Sequence, residues 1–356
     1  MGSSASPGPG GRRPARDTAL RQLLRPLEPY LARREVTELA VNRPGELWIR
    51  SPAGWSRHET PELTAEYLDS LVTAMAVHSG LAVRSLASVT LPDGERGQLV
   101  RAPACVDGMA PITIRKHLPT VRTLAELEQE GTFEAARDVS FHRPSAEEAI
   151  RESERCDTGR LDPLEVELLA LKRECRFAAF LRCVVQARRN IVIAGRTGSG
   201  KTTLARSLID EVSATERIVT IEDVHELALP NHPNRVHLMF GEGPGRVTAE
   251  ACLAACMRLS PDRIFLAELR GSEAWEYVQS LNTGHPGSVT TTHANGAVQA
   301  FDRIASLIKN SGTGRGLEVG EIRRVLHATL DVVLFMAERR VTEVYFDPLH
   351  ARASCR

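Results

Sequence analysis

Apolar positions along this chain follow two different rhythms. Over the first third, Leu20, Leu23, Leu24, Leu27 and Leu31 recur at helical spacing and predict a helix over residues 18–34. Residues 36–41 and 46–50 read as strands joined by the turn Asn42-Arg43-Pro44-Gly45. Residues 64–78 predict a second amphipathic helix, with Thr64 as its N-cap and Gly80 as its stop. Short strands at 98–102 and 111–115 surround a turn at 91–96. The pattern predicts a small α+β domain over residues 18–120, preceded by a disordered Gly/Pro/Ser/Arg-rich tail at 1–17. The few arginines of that tail give only a weak grip on anionic lipid.

Residues 121–176 change character. They hold fourteen acidic and nine basic residues with few aromatics, and read as a charged linker, helical around 161–175 and mobile around 143–159. From residue 177 to 350, buried-type strands alternate with helical periodicity, as in a parallel sheet with helical crossovers. The strands fall at 190–194, 217–221, 263–267, 332–336 and 341–346, and the helices at 202–209, 248–259, 272–281 and 298–308. Residues 351–356 read as a tail. The fold class expected is α/β behind a small α+β domain.

The first strand of this second region runs into Gly195-Arg196-Thr197-Gly198-Ser199-Gly200-Lys201-Thr202, followed by Thr203 and a helix. Strand, glycine-rich loop and helix aim backbone N–H groups and a helix N-terminus at a polyphosphate. Lys201 would reach the β- and γ-phosphates, and Thr202 would put its hydroxyl on Mg²⁺. The chain has 45 Lys plus Arg, but only Lys116, Lys172, Lys201 and Lys309 are lysines. A sequence so biased to arginine still places lysine where a compact ammonium on a flexible stem is needed.

Three later clusters stand near strand ends. Glu222, Asp223, Val224, His225 and Glu226 follow an apolar strand, which puts acids at the carboxyl edge of the sheet. Two roles fit them: holding Mg²⁺ through water, or orienting an attacking water. Ile264-Phe265-Leu266-Ala267 runs into Glu268, with Ala267 where many nucleotidases place aspartate. Glu268 is then the candidate base, and Arg270 is placed to sense or neutralise phosphate charge. His285 and His293 flank a Thr-rich strand, either as phosphate-sensing switch positions or as structural histidines.

Formal net charge is zero, so charge balance does not point to direct nucleic-acid binding. Seven scattered cysteines without a CxxC pair suggest reduced thiols and a cytosolic setting, with Cys252 and Cys256 read as core packing. No apolar run approaches the roughly 18 residues needed to span a bilayer, so membrane contact is expected to be peripheral.

The set GRTGSGKT, RIVTIEDVHEL, SPDRIFLAELRG and NTGHPGSVTTTHAN resembles the four boxes of the secretion-superfamily traffic ATPases: Walker A, an Asp box, an atypical Walker B and a His box. LAVNRPGELWI, LPDGERGQLV and ITIRK are similar to the VirB-type hexameric ATPases of type IV secretion, and the likeness covers roughly residues 20–348. The resemblance implies a RecA-like P-loop C-terminal domain and an N-terminal domain, each forming a ring in a homohexamer with nucleotide between the domains. It implies an ATP hydrolase using Mg²⁺, attached to channel components at the cytosolic face of the inner membrane, and powering substrate translocation or pilus biogenesis. It also implies that Arg115, and as a second candidate Arg101, reaches the phosphates from the N-terminal domain. Arg258 stands where the family often has an arginine pair, Ser260 replacing the second, and Arg196 stands where glycine is common. The pilus-assembly ATPases share the four boxes and are the nearest alternative. A nucleotide-gated scaffold with little turnover is the other.

Overall fold

The computed structural model describes residues 16–82, 85–116, 121–155, 161–241 and 246–354. The expected tail at 1–17 lies almost wholly outside them. The chain divides into two compact units, residues 1–118 and 119–356.

The first unit is a six-stranded antiparallel sheet with helices on one face. Its strands are β1 (Glu38–Val41), β2 (Gly45–Ser51), β3 (Gly54–Thr60), β4 (Leu86–Thr90), β5 (Arg96–Val100) and β6 (Ile112–Arg115), in the order β3-β2-β1-β6-β5-β4. Its helices are α1 (Arg16–Leu24), α2 (Glu28–Leu31) and α3 (Ala65–His78). Thr64 caps α3 by accepting the Tyr67 N–H at 3.2 Å, and Leu68, Leu71, Val72, Met75 and Ala76 form its buried stripe. That stripe meets Leu39, Val41, Leu47, Val89, Leu99, Ile112 and Ile114 from the sheet in one core. β3 is exposed along most of its length and β4 alternates over only five residues, so both signals are weak; the two are the edge strands of the sheet.

The second unit is α/β. Its helices are α4 (Leu124–Gln129), α5 (Ala146–Glu154), α6 (Pro163–Arg173), α7 (Phe177–Gln186), α8 (Lys201–Asp210), α9 (Ala249–Cys256), α10 (Ala274–Asn282), α11 (Ala297–Asn310), α12 (Val319–Thr329) and α13 (Pro348–Ser354). Its strands are β7 (Arg137–Asp138), β8 (Ile191–Gly195), β9 (Ile218–Glu222), β10 (Arg235–Met239), β11 (Arg263–Leu266), β12 (Val289–Thr292), β13 (Val332–Ala337) and β14 (Arg340–Phe346). They pair as β10-β9-β11 and β12-β8-β13-β14-β7, and a parallel bridge from Leu269 to Thr292 joins the two sets. All pairs are parallel except β13–β14. β8, β9, β11 and β12 are buried along their whole length, as a sheet covered on both faces requires.

Residues 121–176 are not a linker; the structure corrects that expectation. Leu124, Leu127, Phe133, Ala149, Leu161, Leu168 and Leu169 join the same core as β8 and α8. Each of α4, α5 and α6 opens with a reciprocal capping box: Thr123 with Glu126, Ser145 with Glu148, and Asp162 with Glu165. The segment expected to be mobile contains α5, while residues 156–160 lie outside the described residues. Lys172 fastens the region to the sheet. Its buried ammonium donates to Ser140 Oγ and to the Phe346 carbonyl, both at 2.8 Å, and pairs with Asp138 at 2.9 Å. The expected tail also begins as helix, because α13 continues to Ser354, where Arg352 pairs with Glu165 at 2.6 Å.

Candidate active site

β8 is flanked by parallel strands on both sides and delivers its carboxyl end into the glycine-rich loop. Gly195 has φ of +153°, and a Cβ there would lie 2.5 Å from the Met336 carbonyl oxygen and 2.6 Å from Ser199 Oγ. Only glycine lets the loop pass this close to β13. Gly200, at φ +98°, turns the chain into α8. Arg196 and Thr197 are exposed, while Ser199 and Lys201 are buried. The Lys201 ammonium donates to the carbonyls of Gly195 and Arg196 at 2.8 and 3.1 Å, so it is held inside the loop's curl. Ser199 Oγ is buried and has no hydrogen-bond partner among the described residues.

Parallel pairing brings the ends of β9, β11 and β12 to the same edge of the sheet as the loop. Of the acids after β9, Glu226 rather than Glu222 meets the loop: Thr202 donates its hydroxyl to Glu226 at 3.1 Å. Glu222, expected on Mg²⁺, is fully buried with both oxygens engaged. Oε2 accepts the N–H groups of Glu226 and Leu227, each at 2.7 Å, and Oε1 faces Thr220, His225 and His237. Burial alone raises the pKa of this carboxyl; the hydrogen bonds from His225, His237, Thr220 and Leu227 overcome it and hold the group well below the carboxylate range. Asp223 is taken up by Arg270 at 2.7 Å.

Glu268 sits just past β11 between the Arg270 guanidinium and the His293 ring. Arg270 donates to its Oε2 at 2.8 Å, and His293 Nε2 lies 2.9 Å from its Oε1, off the hydrogen-bond axis. The hydrogen bond from Arg270 to Glu268, with Asp223 adding to it, raises the arginine's pKa further. The chain Asp223–Arg270–Glu268–His293 thus crosses three strand ends and keeps the Glu268 carboxylate in one place. A cleft of about 350 Å³ opens beside it, lined by Gly195, Arg196, His293, Asn295, Gln299 and Arg303 among others. Asn295, Gln299 and Arg303 were not among the residues expected from the sequence. Gln299 and Arg303 are four apart on α11, so their shared helix face was the available signal.

Other expected residues lie elsewhere. His285 precedes β12 at its amino end, so a strand length of roughly 13 Å separates it from the loop edge, against the phosphate-sensing expectation. Arg258 is exposed after α9, ahead of β11, at the same amino-terminal edge. Arg115 and Arg101 belong to the first unit. Arg115 ends β6, half-exposed, with Nε 3.6 Å from Glu38, and Arg101 is bonded to Asp69. Cys252 and Cys256 are buried in the core around β9 and β11.

A family model described as "Type II/IV secretion system protein" matches residues 160–344. The chain is 41% identical over 345 residues to the type IV secretion system protein VirB11 of Brucella suis, covering 93% of this chain and 91% of that one. It is 37% identical over 347 residues to the type IV secretion system protein PtlH of Bordetella pertussis, covering 94% and 96%. Among solved structures it is similar to the Brucella suis VirB11 ATPase in complex with sulphate, at 40% identity and TM-score 0.52, covering 96% and 98%. The Legionella pneumophila ATPase DotB shares the fold at TM-score 0.56 and 17% identity, covering 97% and 89%.

Proposed function

The chain belongs to the type II/IV secretion system protein family, as one of the VirB11 ATPases of type IV secretion systems, and from that premise we propose how its RecA-like second unit works. It binds ATP at the loop 195–203 and hydrolyses it with Mg²⁺, and hydrolysis in a homohexameric ring drives substrate transfer or pilus assembly at the channel. The ring sits at the cytosolic face of the inner membrane, held there by channel components. Among the described residues, no helix is long and apolar enough to cross a membrane.

The residues fit a nucleotide. Ser199 Oγ is buried with no hydrogen-bond partner among the described residues, Gly195 lets the loop pass against β13 where a Cβ would clash, and Lys201 is enclosed by loop carbonyls. Lys201 and the amides opening α8 bind phosphate. Thr202 and Glu226, which meet at 3.1 Å, would hold Mg²⁺, which when bound would neutralise charge on the phosphates. Glu268 orients the attacking water and takes its proton, while Arg270 and His293 keep that carboxylate in position. Arg115, carried by the first unit, supplies a planar fork for phosphate oxygens, with Arg101 as the second candidate.

The observation that carries this reading is the placement of Glu268 between Arg270 and His293 on the strand edge that also bears the loop. Glu268→Gln tests it: ATP binding persists while kcat falls by about 10²-fold or more. Loss of binding, or unchanged turnover, removes Glu268 from the role of base.

A further inference from the structure

One polar cluster beside the nucleotide loop has the donor set of a metal site. β9 and β10 are parallel, with His237 in register with Thr220. Residues two apart share a strand face, so Thr220, Glu222 and His237 stand on one side of the sheet. The loop after β9 turns back and adds His225, three residues beyond Glu222. Glu222 Oε1 then lies 3.2 Å from His225 Nδ1 and 3.3 Å from His237 Nδ1, with the two rings 4.3 Å apart centre to centre. All three potential ligand atoms fall within 4.8 Å of one another.

We propose that Glu222, His225 and His237 bind a divalent ion of the zinc class. Metal–ligand bonds of about 2.0–2.1 Å in a tetrahedron set ligands about 3.3 Å apart, which is the spacing found on both sides of Oε1. Hydrogen bonding alone leaves Oε1 oversubscribed. A carboxylate oxygen offers about two lone-pair directions, yet Thr220 Oγ1 at 2.6 Å and both imidazoles converge on it. Thr220 Oγ1 also lies 2.7 Å from His237 Nδ1. An ion replaces the two ring protons with bonds to both nitrogens and leaves one lone pair for Thr220.

The support around the site is already built. The N–H groups of Glu226 and Leu227 fix Glu222 Oε2, so the carboxylate cannot swing, and the Thr220 hydroxyl orients the liganding oxygen. Two imidazoles and one carboxylate select zinc, cobalt or nickel over magnesium or calcium. The set leaves a fourth position open to water, and His225 is 48% exposed, which gives the ion a way in. The ion joins β9, β10 and the loop carrying Glu226, the partner of Thr202. Any effect on ATP turnover rests on the nucleotide reading; the binding itself does not.

The test uses the untagged full-length chain, stripped with chelator and titrated with Co²⁺ and then Zn²⁺ in the presence of excess Mg²⁺. The expected result is one equivalent of cobalt per chain with the intense visible absorption of a tetrahedral site, displaced by zinc. His225→Gln and His237→Gln each weaken binding by about tenfold or more with an unchanged circular dichroism spectrum. Lys201→Ala binds cobalt as wild type does, which separates this site from the nucleotide loop. Absence of a tetrahedral cobalt spectrum in the wild-type chain overturns the proposal, and so does binding that both histidine variants retain.

Discussion

Arg263 shows how tightly the Walker B strand is anchored, and its replacement by methionine gives a worked expectation. Its side chain is 2% exposed at the start of β11. Nε and Nη2 each donate to Glu216 at 2.9 Å, and Nη1 donates to the carbonyls of Val185 at 2.7 Å and Gly287 at 3.3 Å. One guanidinium therefore ties together the end of α7, the approach to β9, β11 and the turn before β12. Methionine keeps an unbranched stem and removes every one of these bonds. Removing one partner of a buried ion pair costs about 3–5 kcal/mol. Arg188 still pairs with Glu216 at 2.8 Å, so the expected loss lies near the lower end, about 3 kcal/mol. For a unit of this size that lowers Tm by about 6–12 °C. Arg263 also holds the Glu216 carboxyl below its ordinary pKa, first by hydrogen bonds and then by charge, against the opposing effect of burial. A depressed carboxyl stabilises the fold above its unfolded pKa, and that contribution is lost as pH falls through the folded one. The variant should therefore lose part of the wild-type protein's acid-side slope. Thermal melts by circular dichroism across pH, for wild type, Arg263→Met, Glu216→Gln and the double variant, measure both effects. A Tm change under about 2 °C, or additive single effects, refutes the assignment.

Burial, reinforced by His350, pushes the His327 imidazole down to about 4, while its ring stacks on Phe301 at 4.1 Å. Between about pH 6.5 and 4 the unfolded chain binds the proton and the folded one does not, so stability falls as pH drops through that window. His327→Phe should flatten that slope, by on the order of 1 kcal/mol for a partly exposed group, read from denaturant midpoints at both ends of the window. Arg115→Ala should lower kcat by about tenfold or more while weakening ATP binding less, and Arg115→Lys should rescue only in part because lysine lacks the fork. Nucleotide titration beside phosphate release measures the split, and wild-type turnover in the alanine variant contradicts the role.

What was legible in the chain depended on how local the signal was. The loop at 195–202 is contiguous, so spacing alone located it, and the buried runs of β8, β9 and β11 marked the strands that carry it. The carboxyl edge was legible after β9, but which acid turns toward Thr202 was not. That choice depends on His237, which β10 brings alongside, and β10 itself has too mixed a pattern to stand out. The region 121–176 reads as a linker because its charge density masks sparse core leucines. Its three capping boxes were visible as Thr123…Glu126, Ser145…Glu148 and Asp162…Glu165, and they argued for ordered helices. His285 looked like a partner of His293 in sequence, but a parallel strand between them sends the two to opposite sheet edges.

Phosphate release under steady state, with Lys201→Ala as the matched variant, tests the central claim most directly. The wild-type chain should release phosphate from ATP only with Mg²⁺ present. Lys201→Ala should lose both turnover and nucleotide affinity, yet melt like wild type without nucleotide. Wild-type turnover in Lys201→Ala would contradict the phosphate-loop assignment, and ATP binding without turnover in the wild-type chain would make it a nucleotide-gated scaffold.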